Sequence, residues 1–503
     1  MSSTSKPKRI IVIGAGITGL AAGYRLLENS RRTNTPIDLK VLEATDHIGG
    51  VIKTETHGNF LLEHGPDNFI TNKPAGIDLC KRLGIENELI ETNAKHRRAL
   101  IVHNGKLVPI PPGFELMMPR KLLPFALSPI LSWGGKLRAL RERFVPCRAN
   151  ASDDDDESLA SFVTRRFGKQ VLDRLVQPLV GGIYTADPET LSLRATVPRF
   201  LDMEREHGSL IKTALVQAKE QKRKQKEAQQ NSTKQSAATA ASGARYSLFM
   251  ALKGGMSRLT QALADELGNH LRTNTPVQCI TRTASSENDT TNNRASTPAE
   301  TWTITCNDGN TLTADAVLIT APSFRAADLL KPVDPNISND LASIEYASSA
   351  VVVATYKRSQ IARPLDAFGF VVPERENRPI IAGAFSSVKY AGRAPDDEVV
   401  LRAFLGGVTQ AESLNQSDGK LIETATDELA SLLKITGTSQ LTRLCRYNNA
   451  MPQYHVGHVK KVAAIRDQLA HYGGLQLAGN AYDGVGIPDC IASAHNAADQ
   501  LLP

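Results

Sequence analysis

Residues 9–28 read RIIVIGAGITGLAAGYRLLE. A short apolar run rich in β-branched residues enters a glycine turn, and an amphipathic helical pattern follows. Strand, turn and helix in that order open a parallel α/β sheet. Gly14, Gly16 and Gly19 stand at the GxGxxG spacing. Gly14 makes the tight turn, Gly16 lets a pyrophosphate approach the backbone, and Gly19 lets the helix pack closely on the strand. Ala15, Ile17 and Thr18 complete the loop and the helix start, whose positive end stabilises phosphate charge. Residues 37–42, IDLKVL, read as the next strand and end at Glu43, where a carboxylate can bond ribose hydroxyls. Together these features point to a dinucleotide.

The chain has 503 residues, enough for two or three domains or one large discontinuous one. Its 41% hydrophobic and 22% charged residues suit a soluble globular protein. The start, MSSTSKPKRI, has no apolar signal core, so secretion by the usual route is not expected. Six dispersed cysteines form no metal-ligand spacing, and no metal is expected; free thiols in a reducing, cytoplasmic setting are. A net charge of +7 suits an acidic partner: nucleic acid, a membrane or a polycarboxylate. With no nucleic-acid motif and only 5% aromatics, nucleic acid is not expected.

The apolar stretch 122–135, LLPFALSPILSWGG, is too short to span a bilayer and is broken by Pro124 and Pro129. It reads as buried core, with seating on a bilayer surface as the alternative. The acidic run 153–157 reads as a solvated helix start before SLASFVTRRF. Residues 213–245 read as a helix extension fraying into a disordered, low-complexity loop, and 283–300 as a second polar insertion.

Directly after Glu43 and Ala44 comes TDHIGGVIKTETHGNFLLEHGPDNF, residues 45–69. Gly49-Gly50-Val51 and His64-Gly65-Pro66-Asp67 are two further places where the backbone is bare or constrained. The chain closes on LQLAGNAYDGVGIPDCIASA, residues 475–494, which reads as strand, glycine turn and final helix. This set resembles the FAD branch that includes the flavin amine oxidases. The resemblance implies that Gly49, Gly50 and Gly65-Pro66 lie along the cofactor, and that Val277 touches adenine through its backbone. It also implies that Asn480, Gly484, Gly486, Ile487 and Pro488 bring a helix N-terminus to the flavin ring. A positive helix end there would stabilise the anionic reduced flavin.

Four segments narrow the resemblance: LLEHGPDNFITNKPAGIDLCKRLGI, VQPLVGGIYTADPETLSLRATVPRF, MPQYHVGHVKKV and LAGNAYDGVGIPDC. With the glycine fingerprint they resemble the oxygen-dependent porphyrinogen oxidases of haem biosynthesis, which comprise protoporphyrinogen oxidases and coproporphyrin-forming coproporphyrinogen III oxidases. The likeness runs from residue 9 to the C-terminus and lapses in the two polar insertions.

That resemblance implies an α/β fold: a discontinuous Rossmann-like FAD domain, a mixed-sheet substrate domain and a helical subdomain. The expected boundaries are 7–92, 246–330 and 440–503 for the FAD domain, and 93–110 and 331–439 for the substrate domain. A helical entrance and membrane-contact part covers 111–215, and the low-complexity insertion 216–245. The implied reaction removes six electrons from a porphyrinogen in three two-electron steps, with molecular oxygen as acceptor and peroxide released. Coproporphyrinogen III is favoured over protoporphyrinogen IX, because GPDNFITNKPAG is closer to the soluble bacterial branch. A flavin oxidase acting on amines or carotenoids is a further alternative, and a flavin-bearing scaffold is the non-enzymatic one.

Lys73, Arg97 and Arg98 are the implied cations for the propionates, and Gly182 and Thr185 the implied lining of the ring pocket. Thr185-Ala186 departs from the Gly-x-x-Ala-Gly wording of many members. Phe368 and Phe370 are candidates to pack on the ring, though core packing explains them as well. No side chain is assigned as catalytic; the flavin carries the chemistry. His64, His455 and His458 are the nearest acid–base candidates, and each reads more readily as structural. The resemblance further raises peripheral membrane contact at the inner face of the membrane and handover of product to a chelatase. It leaves monomer and homodimer open.

Overall fold

The computed structural model describes residues 6–148, 156–231, 247–284 and 300–503. The readings for 153–155, 232–245 and 285–299 lie outside the described residues.

The opening motif forms as read. Strand Lys8–Ile13 leads through the glycine turn into helix Ile17–Thr33, which ends at Asn34 in the left-handed conformation with Arg31 and Arg32 in its last turn. Both features are favourable at a helix C-terminus. The strand lies at the centre of a five-stranded parallel sheet. The order across it is Leu271–Arg272, Ile37–Leu42, Lys8–Ile13, Ala316–Ile319, Leu475–Leu477.

Successive side chains alternate faces along a strand, and both faces here are covered. Ile10 and Val12 meet Leu20 and Ala21 of the first helix and Ile491 and Ala494 of the last helix, Ile487–Leu501. Ile11 and Ile13 meet Trp302 and Ile304 of an antiparallel three-stranded sheet on the opposite side. Burial on both faces is why RIIVI is an unbroken apolar run.

A second, seven-stranded mixed sheet runs Leu441–Pro452, Tyr346–Lys357, Glu398–Gly406, Ala382–Phe385, Gly369–Val371, Leu100–His103, Lys106–Pro109. One face, carrying Ala350, Val352, Leu401 and Ala403, packs on helix Asp418–Leu433. The other face, carrying Val351, Val353 and Val400, meets Leu62 of the first unit. Strand Leu441–Pro452 pairs along its length with Tyr346–Lys357. It therefore belongs to this sheet and not to the FAD unit in which the sequence reading placed residues 440–452.

The helical part has a core of its own, in which Phe125, Phe162, Phe167, Leu175 and Phe200 are buried. Helix Leu159–Phe167 is capped by Ser158, whose hydroxyl accepts from the Ser161 N–H. Helix Leu210–Asn231 carries the first half of the polar stretch. The expectation that 122–135 is buried core holds for Phe125, Ser128, Ile130, Leu131 and Gly135. Leu123, Leu127 and Trp133 are more than 70% exposed, as is Phe144 nearby. Their i,i+4 spacing puts Leu123 and Leu127 on one helix face, opposite the face that packs inward. No helix among the described residues is long and apolar enough to cross a membrane.

Candidate functional site

The glycine turn sits at the C-terminal ends of the parallel strands, where ligands bind in open α/β sheets. Gly14 has φ +103, a conformation only glycine adopts easily. A Cβ on Gly19 would fall 1.9 Å from the Gly14 carbonyl oxygen, so this glycine sets the closeness of helix and strand. A Cβ on Gly16 would meet nothing within 4 Å. Gly16 thus faces open space at a helix N-terminus that no side chain caps. Bare backbone and uncapped N–H groups fit a pyrophosphate.

Glu43 stands beside this loop. Its Oε2 accepts from the Ala15 N–H at 2.9 Å, and its Oε1 accepts from the N–H and hydroxyl of Thr45, at 3.0 Å each. Ala44 is exposed between them. The segment before Val277 is tied to the same place: Asn274 donates to the Thr45 carbonyl and Thr275 to the Glu43 carbonyl. Strand Val277–Ala284 therefore starts next to the carboxylate.

The bare track continues across the sheet edge. The Gly49 N–H donates to the Ala15 carbonyl at 2.8 Å, and Gly49 and Gly50 have φ of +97 and +63. A Cβ on Gly65 would fall 1.9 Å from the Val51 carbonyl oxygen, which places the His64–Asp67 turn directly against Val51. Val51 is itself 41% exposed, apolar surface beside the track. The last helix closes the other side. Gly486 is its N-cap, again without a side-chain cap, and Pro488 lies in its first turn. The Asn480 carbonyl accepts from the Tyr454 hydroxyl.

The turn at 64–67 is also where the two sheets meet, and charged side chains hold it. Asp67 is buried. Lys389 Nζ lies 3.1 and 3.2 Å from its two oxygens, and Arg402 Nη1 lies 3.4 Å away. Burial alone would raise the Asp67 carboxyl; the two cations outweigh it and hold it below the ordinary value. Arg402 also donates to the Gly65 carbonyl. His64 Nε2 lies 2.9 Å from Glu55, which Arg443 pairs in turn. Burial pushes the His64 imidazole down, so it is neutral at neutral pH. Its buried Nδ1 has no partner among the described residues. His458 stacks on Tyr454 with centroids 4.1 Å apart, and burial pushes it down to about 4. Backbone hydrogen bonds hold the His455 segment to Gln453 and Thr190. Of the three histidines, His64 is the one whose ring meets a carboxylate among the described residues, that of Glu55.

The expected propionate cations are already engaged. Lys73 Nζ donates to Asp489 in the first turn of the last helix at 2.5 Å. Arg97 pairs with Glu91 at 3.1 Å, and Arg98 with Asp366. Gly182 and Thr185 lie, with Gln177, on the helix side of a crevice between helix Gln177–Tyr184 and the seven-stranded sheet, which Glu374 and Gln410 also line. Its volume of about 20 Å³ holds a water, not a macrocycle. Thr185 has φ +48, and its buried Oγ1 has no partner among the described residues. Phe368 is half-buried. Phe370 is 2% exposed and packed against Phe385 and Gly383, so its ring fills the core and not an open cleft.

Sequence reasoning missed Asp489, Lys389 and Arg402. Asp489 and Arg402 carried a signal, since each is a charge set in an apolar or small-residue stretch.

Residues 17–502 match the flavin containing amine oxidoreductase family. The chain is 33% identical to a coproporphyrinogen III oxidase of Propionibacterium freudenreichii subsp. freudenreichii, over 98% of this chain and 90% of that one. It is 31% identical to the coproporphyrinogen III oxidase of Bacillus subtilis (strain 168), over 98% of each. A crystal structure from Exiguobacterium sp. 255-15 superposes with a TM-score of 0.81 at 28% identity, covering 100% of this chain and 99% of that one. An uncapped glycine loop, a bare backbone track and a whole-length match agree: the chain belongs to the flavin containing amine oxidoreductase family.

Proposed function

We propose that this protein binds FAD and oxidises coproporphyrinogen III to coproporphyrin III, with oxygen as acceptor. The observation that carries the reading is the continuous bare track from Gly16 through Gly49, Gly50 and Val51 to Gly65, closed by the uncapped N-terminus at Gly486. The likeness to bacterial coproporphyrinogen III oxidases over the whole chain supports the substrate. The discontinuous five-stranded unit is taken as the FAD domain, and the seven-stranded sheet as the substrate domain.

Bound there, the flavin supplies a two-electron acceptor. The chain's residues hold and orient. The first helix start and Ala15 take the pyrophosphate, Glu43 and Ala44 the ribose side, and the Val277 backbone the adenine. The Asp67–Lys389–Arg402 cluster fixes the Gly65 turn, which would flank the bound cofactor. Lys73, with Arg97 and Arg98, meets the substrate carboxylates by exchanging ion-pair partners.

Purified protein given each porphyrinogen under air tests the reading. Porphyrin fluorescence and peroxide should rise together, faster with coproporphyrinogen III. No acceleration over the uncatalysed rate with either porphyrinogen, or turnover of amines instead, overturns it.

The segment 122–144 supports peripheral contact with an anionic membrane. Leu123, Leu127, Trp133, Leu137 and Phe144 are between 62% and 74% exposed, and Lys136 and Arg143 lie over the rings of Trp133 and Phe144. Trp133 reports this directly, because the second tryptophan, Trp302, is buried. Its emission should shift to the blue on anionic vesicles and not on neutral ones; an unchanged spectrum on both rejects the contact.

A further inference from the structure

Lys73 and Asp489 lie 416 positions apart in the chain, yet their side chains meet at 2.5 Å. The two ends of the pair differ. Lys73 is 53% exposed, while Asp489 is 16% exposed. Asp489 is held by its surroundings. A Cβ on Gly484 would fall 2.7 Å from the Asp489 Cγ, and one on Gly486 3.0 Å from its Oδ2. The carboxylate is therefore folded back over the bare turn that starts the last helix, with Oδ1 turned to Lys73. A carboxylate in the first turn also gains from the helix dipole whether or not a cation is present. Burial first, and the charge of Asp489 second, push the Tyr184 phenol at the end of helix Gln177–Tyr184 up to about 12.

The pair is thus an anchored anion and a solvent-facing cation. Departure of Lys73 leaves Asp489 supported by the helix start, and a flexible ammonium is free to take another carboxylate. We propose that Asp489 is a specificity-determining residue that acts as an internal competitor for Lys73, holding it until a substrate carboxylate replaces it. This rests on the reading above in which Lys73 meets the substrate's carboxylates. In that exchange one ion pair is broken and one is formed, so carboxylate affinity is set by the difference between them. A molecule without a carboxylate cannot release the lysine.

Coproporphyrin III, added to the flavin-loaded protein and followed by fluorescence quenching, is the probe. Asp489→Asn should bind it up to about fivefold more tightly, the span of a partly exposed ion pair. Lys73→Met should bind it more weakly. In the Lys73→Met background, Asp489→Asn should change nothing, because there is no lysine left to release. The tetramethyl ester of the same porphyrin should bind the parent and Asp489→Asn equally. Asp489→Ser, which keeps a side-chain acceptor at the helix start, gives the same comparison if Asn disturbs the turn. An Asp489→Asn effect of equal size with and without Lys73, or no tightening in either variant, overturns the proposal. If the parent binds neither the acid nor the ester, the functional reading falls and the competitor with it. If the parent binds the acid but Asp489 has no influence, only the competitor falls.

Discussion

Arg402, in the middle of the seven-stranded sheet, places Nη1 3.4 Å from Oδ2 of Asp67 on the other side of the junction between the two sheets. Its other terminal nitrogen donates to the Gly65 carbonyl. The pair joins the seven-stranded sheet to the turn at 64–67. Arg402→Met leaves Asp67 buried with one cation and Gly65 without its donor. The expected loss is about 3 kcal/mol, as for a buried pair broken on one side, read by denaturant unfolding at neutral pH. Adding Asp67→Asn should recover part of it, since the uncompensated charge is gone; a purely additive loss contradicts the pairing. The sign in pH follows from the depressed Asp67 carboxyl. Its contribution is complete above its ordinary value of 3.8 and is lost as pH falls through the lower folded value.

Gly16 and Gly19 separate cofactor binding from folding. Gly16 has φ −66, and a Cβ there meets nothing within 4 Å. Gly16→Ala should keep the flavin-free protein within about 1 kcal/mol of the parent while lowering flavin content after purification. Gly19→Ala puts its Cβ 1.9 Å from a carbonyl oxygen, and the flavin-free protein itself should lose about 1–3 kcal/mol. Thermal melts and visible flavin absorbance of both variants decide the matter. Full flavin content in Gly16→Ala, or Gly16→Asp purified yellow, would remove the phosphate assignment.

His458 makes stability depend on pH in the weakly acid range. Burial holds its imidazole at about 4, against 6.5 in an open chain. Between those values the unfolded chain binds a proton that the folded protein refuses. Stability should therefore fall as pH drops below 6.5, by about 1.4 kcal/mol per pH unit for this group. His458→Phe keeps a ring against Tyr454 and should flatten the slope of unfolding free energy between pH 7 and 5. His495, also held at about 4, keeps part of the slope in the variant.

Thr185 is strained. It is a β-branched residue at φ +48 with a buried hydroxyl that lacks a partner among the described residues. Both features oppose the native state. Thr185→Gly should raise stability by about 1–2 kcal/mol, seen as a higher melting temperature. A lower one would mean that the side chain contributes packing beyond what its surroundings suggest.

The first unit was readable because its signals are local. The alternation of Ile10 and Val12 with Ile11 and Ile13, the glycine spacing, and the proline at the last helix start all act over a few residues. Steric limits on φ and the period of strands and helices produce the same result wherever such a stretch stands. The fate of residues 441–452 was not readable in this way. An apolar and polar mixture of that length forms a strand in either sheet, and only pairing with Tyr346–Lys357 chose one. Likewise LLPFALSPILSWGG has one composition whether its leucines are buried or exposed, and packing around Phe125 decided which face turned inward.

By itself, then, the sequence determined the α/β class, the glycine turn and the closing helix, because each follows from backbone sterics and side-chain period within one stretch of chain. Only the tertiary structure decided who meets whom: Asp67 with Lys389 and Arg402, Lys73 with Asp489, Arg98 with Asp366. Charges attract without regard to sequence separation, and every Lys or Arg has many carboxylates it could reach. The fold brings one within range and removes the water that would screen the others.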